Sequence, residues 1–325
     1  MKLQTQIPLS KANNPIDYSS KILMLGSCFS QNMGDKLAYF KFPVLQNPFG
    51  ILFHPLAIEN LVQKAVDQFE YTERDIFQLY GRWHCYDAHS ELSSGKKEEL
   101  LMRLNSAVLE TNKFIREATH IAITLGTAWV YRHMKRDLFV ANCHKVPQGE
   151  FQKILLTEKE ITTSLIATVN NIKALNPEVQ IVFTISPVRH LKDGFVENQR
   201  SKAHLIAAVH EVLDSPSLEG GQGEAYFPSY EIIMDELRDY RFYNADMIHP
   251  NEIAIDYIWE KFRNAWISHE VGETMNKVEE IQRGLSHRPF DAESPAHQKF
   301  LKTLGQKIAY IKERYSFMNF ESTSS

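Results

Sequence analysis

Cysteine is scarce in this sequence. Cys28, Cys85 and Cys143 form an odd, scattered set, which excludes a disulfide framework. A reducing compartment fits, and there a thiol stays free. Basic charge is not in excess either: 36 Lys and Arg stand against 40 Asp and Glu, a formal net charge of −4. That balance leaves no electrostatic footprint for nucleic acid or an anionic membrane surface, so neither is an expected partner. No apolar run approaches the length of a membrane span. The N-terminal "MKLQTQIPLSKANNP" lacks the apolar centre of a secretory signal, and the expected location is cytoplasmic. Glycine-rich phosphate cradles are missing as well. "LGTAW" and "GGQGE" have no phosphate-loop lysine and no dinucleotide spacing. Cysteines and histidines fall into no closed ligand spacing, so neither a metal nor another cofactor is expected.

What is present is ordinary globular material, 43% hydrophobic and 23% charged over 325 residues. That length suits one large domain with an appendage. Strand-like and helix-like segments alternate, which predicts an α/β domain with a mostly parallel sheet. "KILMLG", "PVLQ", "THIAITLGT", "VQIVFTIS" and "EAYFPSYEII" are the expected strands. "SQNMGDKLAYF", "PLAIENLVQKAVDQ", "KKEELLMRLNSAVLETNKFI", "TEKEITTSLIATVNNIKAL" and "QRSKAHLIAAVHEVL" are expected helices. Thr157 and Glu160 form a capping-box pattern. "HPNEIAIDYIWEKFRNAW" predicts a helix with Pro250 in its first turn, and "GGQG" a turn.

The expected organisation is a three-layer α/β/α domain over residues 1–268, with a lid-like insertion at about 68–118, and a helical extension over 269–325. In the extension, Ser294 and Pro295 open a helix whose apolar residues Leu301, Leu304, Ile308, Ile311 and Tyr315 make one stripe. The stripe fits docking onto the main domain or a seam between two copies of the chain. The closing "FESTSS" is expected to be disordered.

Two stretches can carry chemistry. In "KILMLGSCFS", a strand ends at Gly26, and Ser27 and Cys28 follow where a helix begins. Glycine permits the tight turn, and free N–H groups at a helix N-terminus stabilise a thiolate or an oxyanion. Equally, Ser27 can be a plain helix cap and Cys28 a small buried apolar residue. In "NADMIHPNEIA", Asp246 stands three residues before His249. A carboxylate that orients imidazole makes a general base, although a turn-capping aspartate and a surface histidine would look the same.

Together these stretches resemble the GSCFA-domain family, a branch of the SGNH/GDSL hydrolase superfamily. "GSCFS" is similar to its signature. "NPFGILFHPLAI", "LGTAWVY", "NCHKVP", "SPVRHLKDG", "YFPSYEI", "DELRDYRFY" and "DMIHPN" resemble its other blocks, over roughly residues 20–265. The resemblance implies an SGNH-type, flavodoxin-like fold. It also implies a hydrolase acting on ester bonds of a small acyl group, such as acetyl on a carbohydrate, with a small-molecule or carbohydrate ester as partner. When the superfamily's Gly-Asp-Ser-Leu-Thr block is placed on residues 26–30, its nucleophile falls on Cys28, with Ser27 as the competing attacker. His249 would be the base, with Asp246 orienting it. A thiol at a helix N-terminus beside His249 would have a lowered pKa. The oxyanion hole would use the N–H groups of Cys28 and Gly50. The superfamily's block-three asparagine is missing from "GTAW", and Asn142 is the candidate replacement. One such donor is worth about 3 kcal/mol of transition-state stabilisation. Gly126 and Trp129 of that block, with His89, His144, Arg189 and His190, are the candidate substrate-binding residues. For Arg189, a structural role competes with an anion contact. Acyl transfer to another acceptor, or ligand binding without catalysis, would fit the same framework.

Overall fold

The computed structural model describes residues 4–215 and 224–320. Its elements run β1 (Ile22–Gly26), α1 (Cys28–Tyr39), β2 (Val44–Gln46), α2 (Pro55–Val66), β3 (Ile76–Leu79), β4 (Arg82–Cys85), α3 (Lys97–Glu117), β5 (His120–Leu125), β6 (Trp129–His133), β7 (Leu138–Val140) and β8 (Phe151–Leu155). They continue with α4 (Glu158–Leu175), β9 (Gln180–Ile185), α5 (Phe195–Leu213), β10 (Glu224–Phe227), α6 (Ser229–Glu231), α7 (Glu252–Trp266), α8 (Gly272–Ser286) and α9 (Pro295–Arg314).

The central sheet has the order β10-β9-β5-β1-β2, and every pairing is parallel. Counting only these five strands along the chain, the order is 2-1-3-4-5, the flavodoxin-like arrangement. Winding reverses between β1 and β5, and ligand crevices form at the carboxyl ends of the strands there. Alternation of side chains across the pleat divides the core in two. Leu23, Leu25, Ile121, Ile123, Ile181 and Phe183 pack with α2, α3, α4 and α5. Ile22, Met24, Ala122 and Val182 pack with α1, α7, α8 and α9. The result is three layers, α/β/α, which explains why the strands are apolar on both faces.

Several local expectations hold for visible reasons. Thr157 and Glu160 close a capping box on α4, with Thr157 N–H donating to Glu160 Oε2 at 2.8 Å. Ser294 caps α9 and Pro295 begins it. Leu304 and Ile311 of α9 are buried, and an added Cβ on Gly284 of α8 would meet Leu304 at 2.7 Å. The apolar stripe is therefore covered within the chain, on its own domain, while Leu301 stays exposed.

Others are corrected. "EAYFPSYEII" is not one strand. Pro228 cannot donate to a ladder, and after it Ser229–Glu231 turn helically into a π-turn over Ile232–Glu236. Pro250 precedes α7 and lies outside its first turn. Asn251 is the N-cap, its side chain accepting Ala254 N–H. The segment 68–118 is not uniformly a lid, because α3 buries Leu100, Leu104, Val108 and Ile115 in the main core. Only the antiparallel β3–β4 hairpin and its flanks stand off the sheet. Residues 129–155 add an antiparallel sheet of order β7-β6-β8. Phe320 of "FESTSS" is buried, with the Lys41 ammonium 5.4 Å from its ring centre. Residues 321–325 and the expected "GGQG" turn lie outside the described residues. Among the described residues no helix is long and apolar enough to cross a membrane.

Candidate active site

Gly26 ends β1 with φ +128°, a backbone state almost confined to glycine. An added Cβ there would lie 2.1 Å from Thr124 O on β5. Its N–H donates to Asn47 Oδ1 at 2.9 Å, and its carbonyl accepts Leu52 N–H at 3.0 Å. Ser27 follows as the N-cap of α1, 2% exposed, its Oγ accepting Phe29 N–H at 3.3 Å. The cap role open to Ser27 is thus realised. Cys28 is the first residue of the helix and partly exposed, with its sulfur in reach of the N–H groups of Cys28 and Phe29. The expected lowering of its pKa is corrected. Burial raises the thiol, and it outweighs the opposing pull of those N–H groups and of the Lys202 ammonium.

Asp246 and His249 form a hydrogen-bonded pair. His249 Nδ1 lies 2.7 Å from Asp246 Oδ2, while Asp246 Oδ1 accepts the N–H groups of Ile248 and His249. The carboxylate accepts, so Nδ1 carries the proton and Nε2 is left free. These hydrogen bonds, His249's side chain first, hold Asp246 down to about 2. Both side chains are about half exposed. Arg189 fastens this loop to the end of β9: its N–H donates to Ile248 O at 3.2 Å and Nη1 to Met247 O at 3.1 Å. The Arg189 guanidinium lies between the rings of Phe195, Tyr240 and Tyr243. The structural role of Arg189 is therefore realised, and "RDYRFY" supplies two of its aromatic neighbours.

Electrostatic reach links these parts. Cys28 interacts with Lys202, Lys202 with His190, and His190 with His249. His190 is held down to about 3, first by burial and then by the Lys202 and His249 charges. The thiol, the imidazole pair and the loop after β9 thus gather at the carboxyl edge of the sheet, where winding reverses.

The remaining candidates divide. Gly50 (φ +72°) donates its N–H to Asn47 O at 2.7 Å, which closes a turn and removes that N–H from the oxyanion role. Asn142 is likewise committed: Nδ2 donates to Ser90 Oγ and Oδ1 accepts His144 N–H. His144 is buried beside the hairpin, its Nε2 donating to Cys85 O at 2.6 Å. His89 covers the Phe49–Gly50 turn, its N–H donating to Phe49 O. Gly126 allows Phe53 and His190 to approach; an added Cβ would meet them at 2.7 and 3.1 Å. Trp129 Nε1 donates to Glu197 O at 3.4 Å, and the Lys153 ammonium lies over its ring.

Two residues emerge that sequence reasoning did not single out. Asn47 follows β2 with φ +38°, and its Nδ2 is buried without a partner beside Gly26. Its signal in "LQNPFG" is a turn-forming Asn, which tolerates positive φ. Lys202 is 1% exposed on α5 and donates to the carbonyls of Gly126 and Ser186, both at 2.7 Å. Its signal is position: it stands three residues before Leu205 and seven before Val209, on the buried face. Among the described residues no group of three or more His, Cys, Asp or Glu is placed to hold a metal. A cavity of about 220 Å³ is lined by Arg189, Ile233, Leu237, Tyr240 and Tyr243 among others. A larger one, about 810 Å³, opens between the N-terminal segment and the α7–α8 junction.

Fold and site define a class: a doubly wound α/β protein with a thiol at its first strand–helix turn and an Asp–His pair before a later helix. The chain belongs to the GSCFA family, which it matches over residues 21–262. Residues 278–323 match the C-terminal domain of GSCFA domain proteins, covering most of α8 and all of α9. No curated protein matches the sequence.

Proposed function

We propose that the protein is an SGNH/GDSL-type acyl hydrolase acting on esters of a small acyl group, such as acetyl on a carbohydrate. The observation that carries this reading is the placement of Cys28 at the α1 N-terminus just past β1, together with an oriented Asp246–His249 pair whose loop Arg189 holds to the end of β9. Cys28 is the nucleophile, since Ser27 is buried and its Oγ serves the cap. His249 Nε2 takes the thiol proton. The sulfur attacks the acyl carbon, and the alkoxide leaves with the proton from His249, giving a thioester. Water then gives a proton to Nε2 and attacks the thioester, releasing the acid and restoring the thiol. The Cys28 N–H and Asn47 Nδ2 are the oxyanion donors we assign, Asn47 replacing the asparagine missing from "GTAW". Transfer of the acyl group to an alcohol or amine is the second reading, because a thioester on a thiol nucleophile can be intercepted by either acceptor. Three unpaired cysteines support a reducing compartment, and we place the reaction in the cytoplasm.

The test is incubation with an activated acetyl ester, an acid quench and peptide mapping of added mass, with His249→Ala as control. A His249-dependent adduct on Cys28 is expected. An adduct on Ser27 would make the enzyme a serine esterase. Neither adduct nor turnover would sink the enzyme reading and leave a binding module. Addition of alcohol acceptors, followed by product analysis, separates transfer from hydrolysis.

A further inference from the structure

We propose that Arg189 and the tyrosine rings about it form a carboxylate subsite, so that the alcohol side of the substrate ester is a small hydroxy acid whose carboxylate the guanidinium takes. The proposal deepens the acyl-transfer reading and rests on it for the ester; binding of the acid itself does not.

Anchoring the His249 loop takes only one side-chain nitrogen of Arg189. Nη1 donates to Met247 O at 3.1 Å, and among the described residues no hydrogen bond or ion pair occupies Nε or Nη2. The other charges lining the 220 Å³ cavity are already matched. Asp239 is held by Arg241, and Arg238 by Asp235, each pair at 3.0 Å. Asp246 spends its two oxygens on Ile248 and His249. Arg189 is therefore the lining charge that lacks an opposite charge among the described residues.

The rest of the wall says what kind of anion fits. Ile233 and Leu237 form an apolar side, and the Tyr240 and Tyr243 ring centres lie 5.7 and 5.4 Å from the guanidinium carbon. A guanidinium flanked by rings keeps its N–H edge, and a free Nε–Nη2 edge matches the two oxygens of a carboxylate. One cation among apolar walls balances a monoanion and leaves a phosphate dianion under-compensated. The volume is below the roughly 300–1,000 Å³ of a drug-sized ligand's site, so a single small ring or short chain is accommodated. Wall and base share their chain. Met247 and Ile248, whose carbonyls Arg189 holds, stand between Asp246 and His249, and Tyr243 forms a backbone bridge with Pro250. A carboxylate on Arg189 is thus fixed to the loop that carries the base, which is how a remote group positions a scissile ester.

The experiment measures binding by titration calorimetry with two matched pairs of product-like probes: glucuronate against glucuronamide, and para-hydroxybenzoate against para-hydroxybenzamide. The wild-type protein should bind at least one acid about tenfold or more tighter than its amide, and the pair that does so tells whether a sugar or an arene body fits. Arg189→Met should abolish that preference. Because Arg189 also anchors the His249 loop, binding is read and not turnover. Should Arg189→Met fail to fold, Tyr240→Ala removes a 63% exposed ring without touching that anchor, and it should weaken the preferred acid several-fold. Equal affinity for acid and amide in both pairs overturns the proposal, as does a preference that survives in folded Arg189→Met or an affinity unmoved by Tyr240→Ala. Binding of the acids needs no ester chemistry. A preference for acids without any acetyl adduct would refute acyl transfer and keep the subsite, whereas an adduct on Cys28 with no such preference would do the reverse.

Discussion

Replacing Gly26 by alanine tests the frame on which the site is built. Two costs are readable at this position. The first is conformational: φ +128° lies in a region nearly closed to side-chain-bearing residues, a strain of roughly 1–3 kcal/mol. The second is steric. The new methyl would lie 2.1 Å from Thr124 O, 2.8 Å from its carbonyl carbon and 2.9 Å from its nitrogen. All three atoms are backbone of β5, which pairs on both sides with β1 and β9 and cannot yield like a side-chain tip. Overpacking of this kind costs about 1–3 kcal/mol more. The expected loss is therefore roughly 2–6 kcal/mol, a large part of a typical domain's stability. Gly95→Ala is the internal standard, since nothing lies within 4 Å of its Cβ and its φ is not positive. There the change should be near zero or slightly stabilising. Urea unfolding followed by circular dichroism measures both. A Gly26→Ala protein within about 0.5 kcal/mol of Gly95→Ala would refute the claim that β1 and β5 force glycine at this turn.

Asp246→Asn should leave the fold intact and slow acylation by at least about 100-fold, because His249 loses the carboxylate that fixes its tautomer; rapid-quench acylation kinetics would show it. Asn47→Asp keeps the acceptor for Gly26 N–H and removes the Nδ2 donor, so turnover of the folded variant should fall about 100-fold or more, with some loss of thermal stability from the buried carboxyl. Stability should decline in mild acid. Burial holds His54 and His144 down to about 4, whereas the unfolded chain takes up protons near 6.5. Between those values the unfolded state binds more protons, so stability is present above about pH 6.5 and is lost as pH falls; for His54 this is about 2 kcal/mol between pH 7 and pH 5. Urea midpoints that stay flat over that window would contradict the burial of these rings. Ile311→Ala, at a 1% exposed site on α9, should cost about 2–4 kcal/mol, and Leu301→Ala, 44% exposed, well under 1. Equal effects in thermal unfolding would mean that the stripe does not dock where the structure puts it.

The three-layer class was legible because fully buried parallel strands and one-sided helices leave opposite periodicities in the sequence. "KILMLG" and "THIAITLG" are continuous apolar runs, while α4 announces itself with Thr157 and Glu160. The Asp246–His249 pair was legible for the same reason: its geometry is set by three residues of local chain. Elements that depend on long-range context were not. "EAYFPSYEII" has strand composition throughout, and the turn at Pro228 into a helix follows from where Ile232 and Ile233 find buried surroundings. Helix α3 looked like part of an insertion until its Leu100, Leu104 and Val108 met the core.

By itself, then, the sequence determined most of the elements, the candidate site residues and the local Asp–His bond, since these depend on neighbours a few residues apart. Tertiary structure alone decided which donors are free. Gly50 and Asn142 were reasonable oxyanion donors by motif, but a turn and a neighbouring loop satisfy them first. Asn47 keeps an unmet amide, and Lys202 bonds the carbonyls of Gly126 and Ser186, 76 and 16 residues away in sequence. Hydrogen-bond satisfaction and desolvation are properties of the packed chain, and no local pattern encodes them.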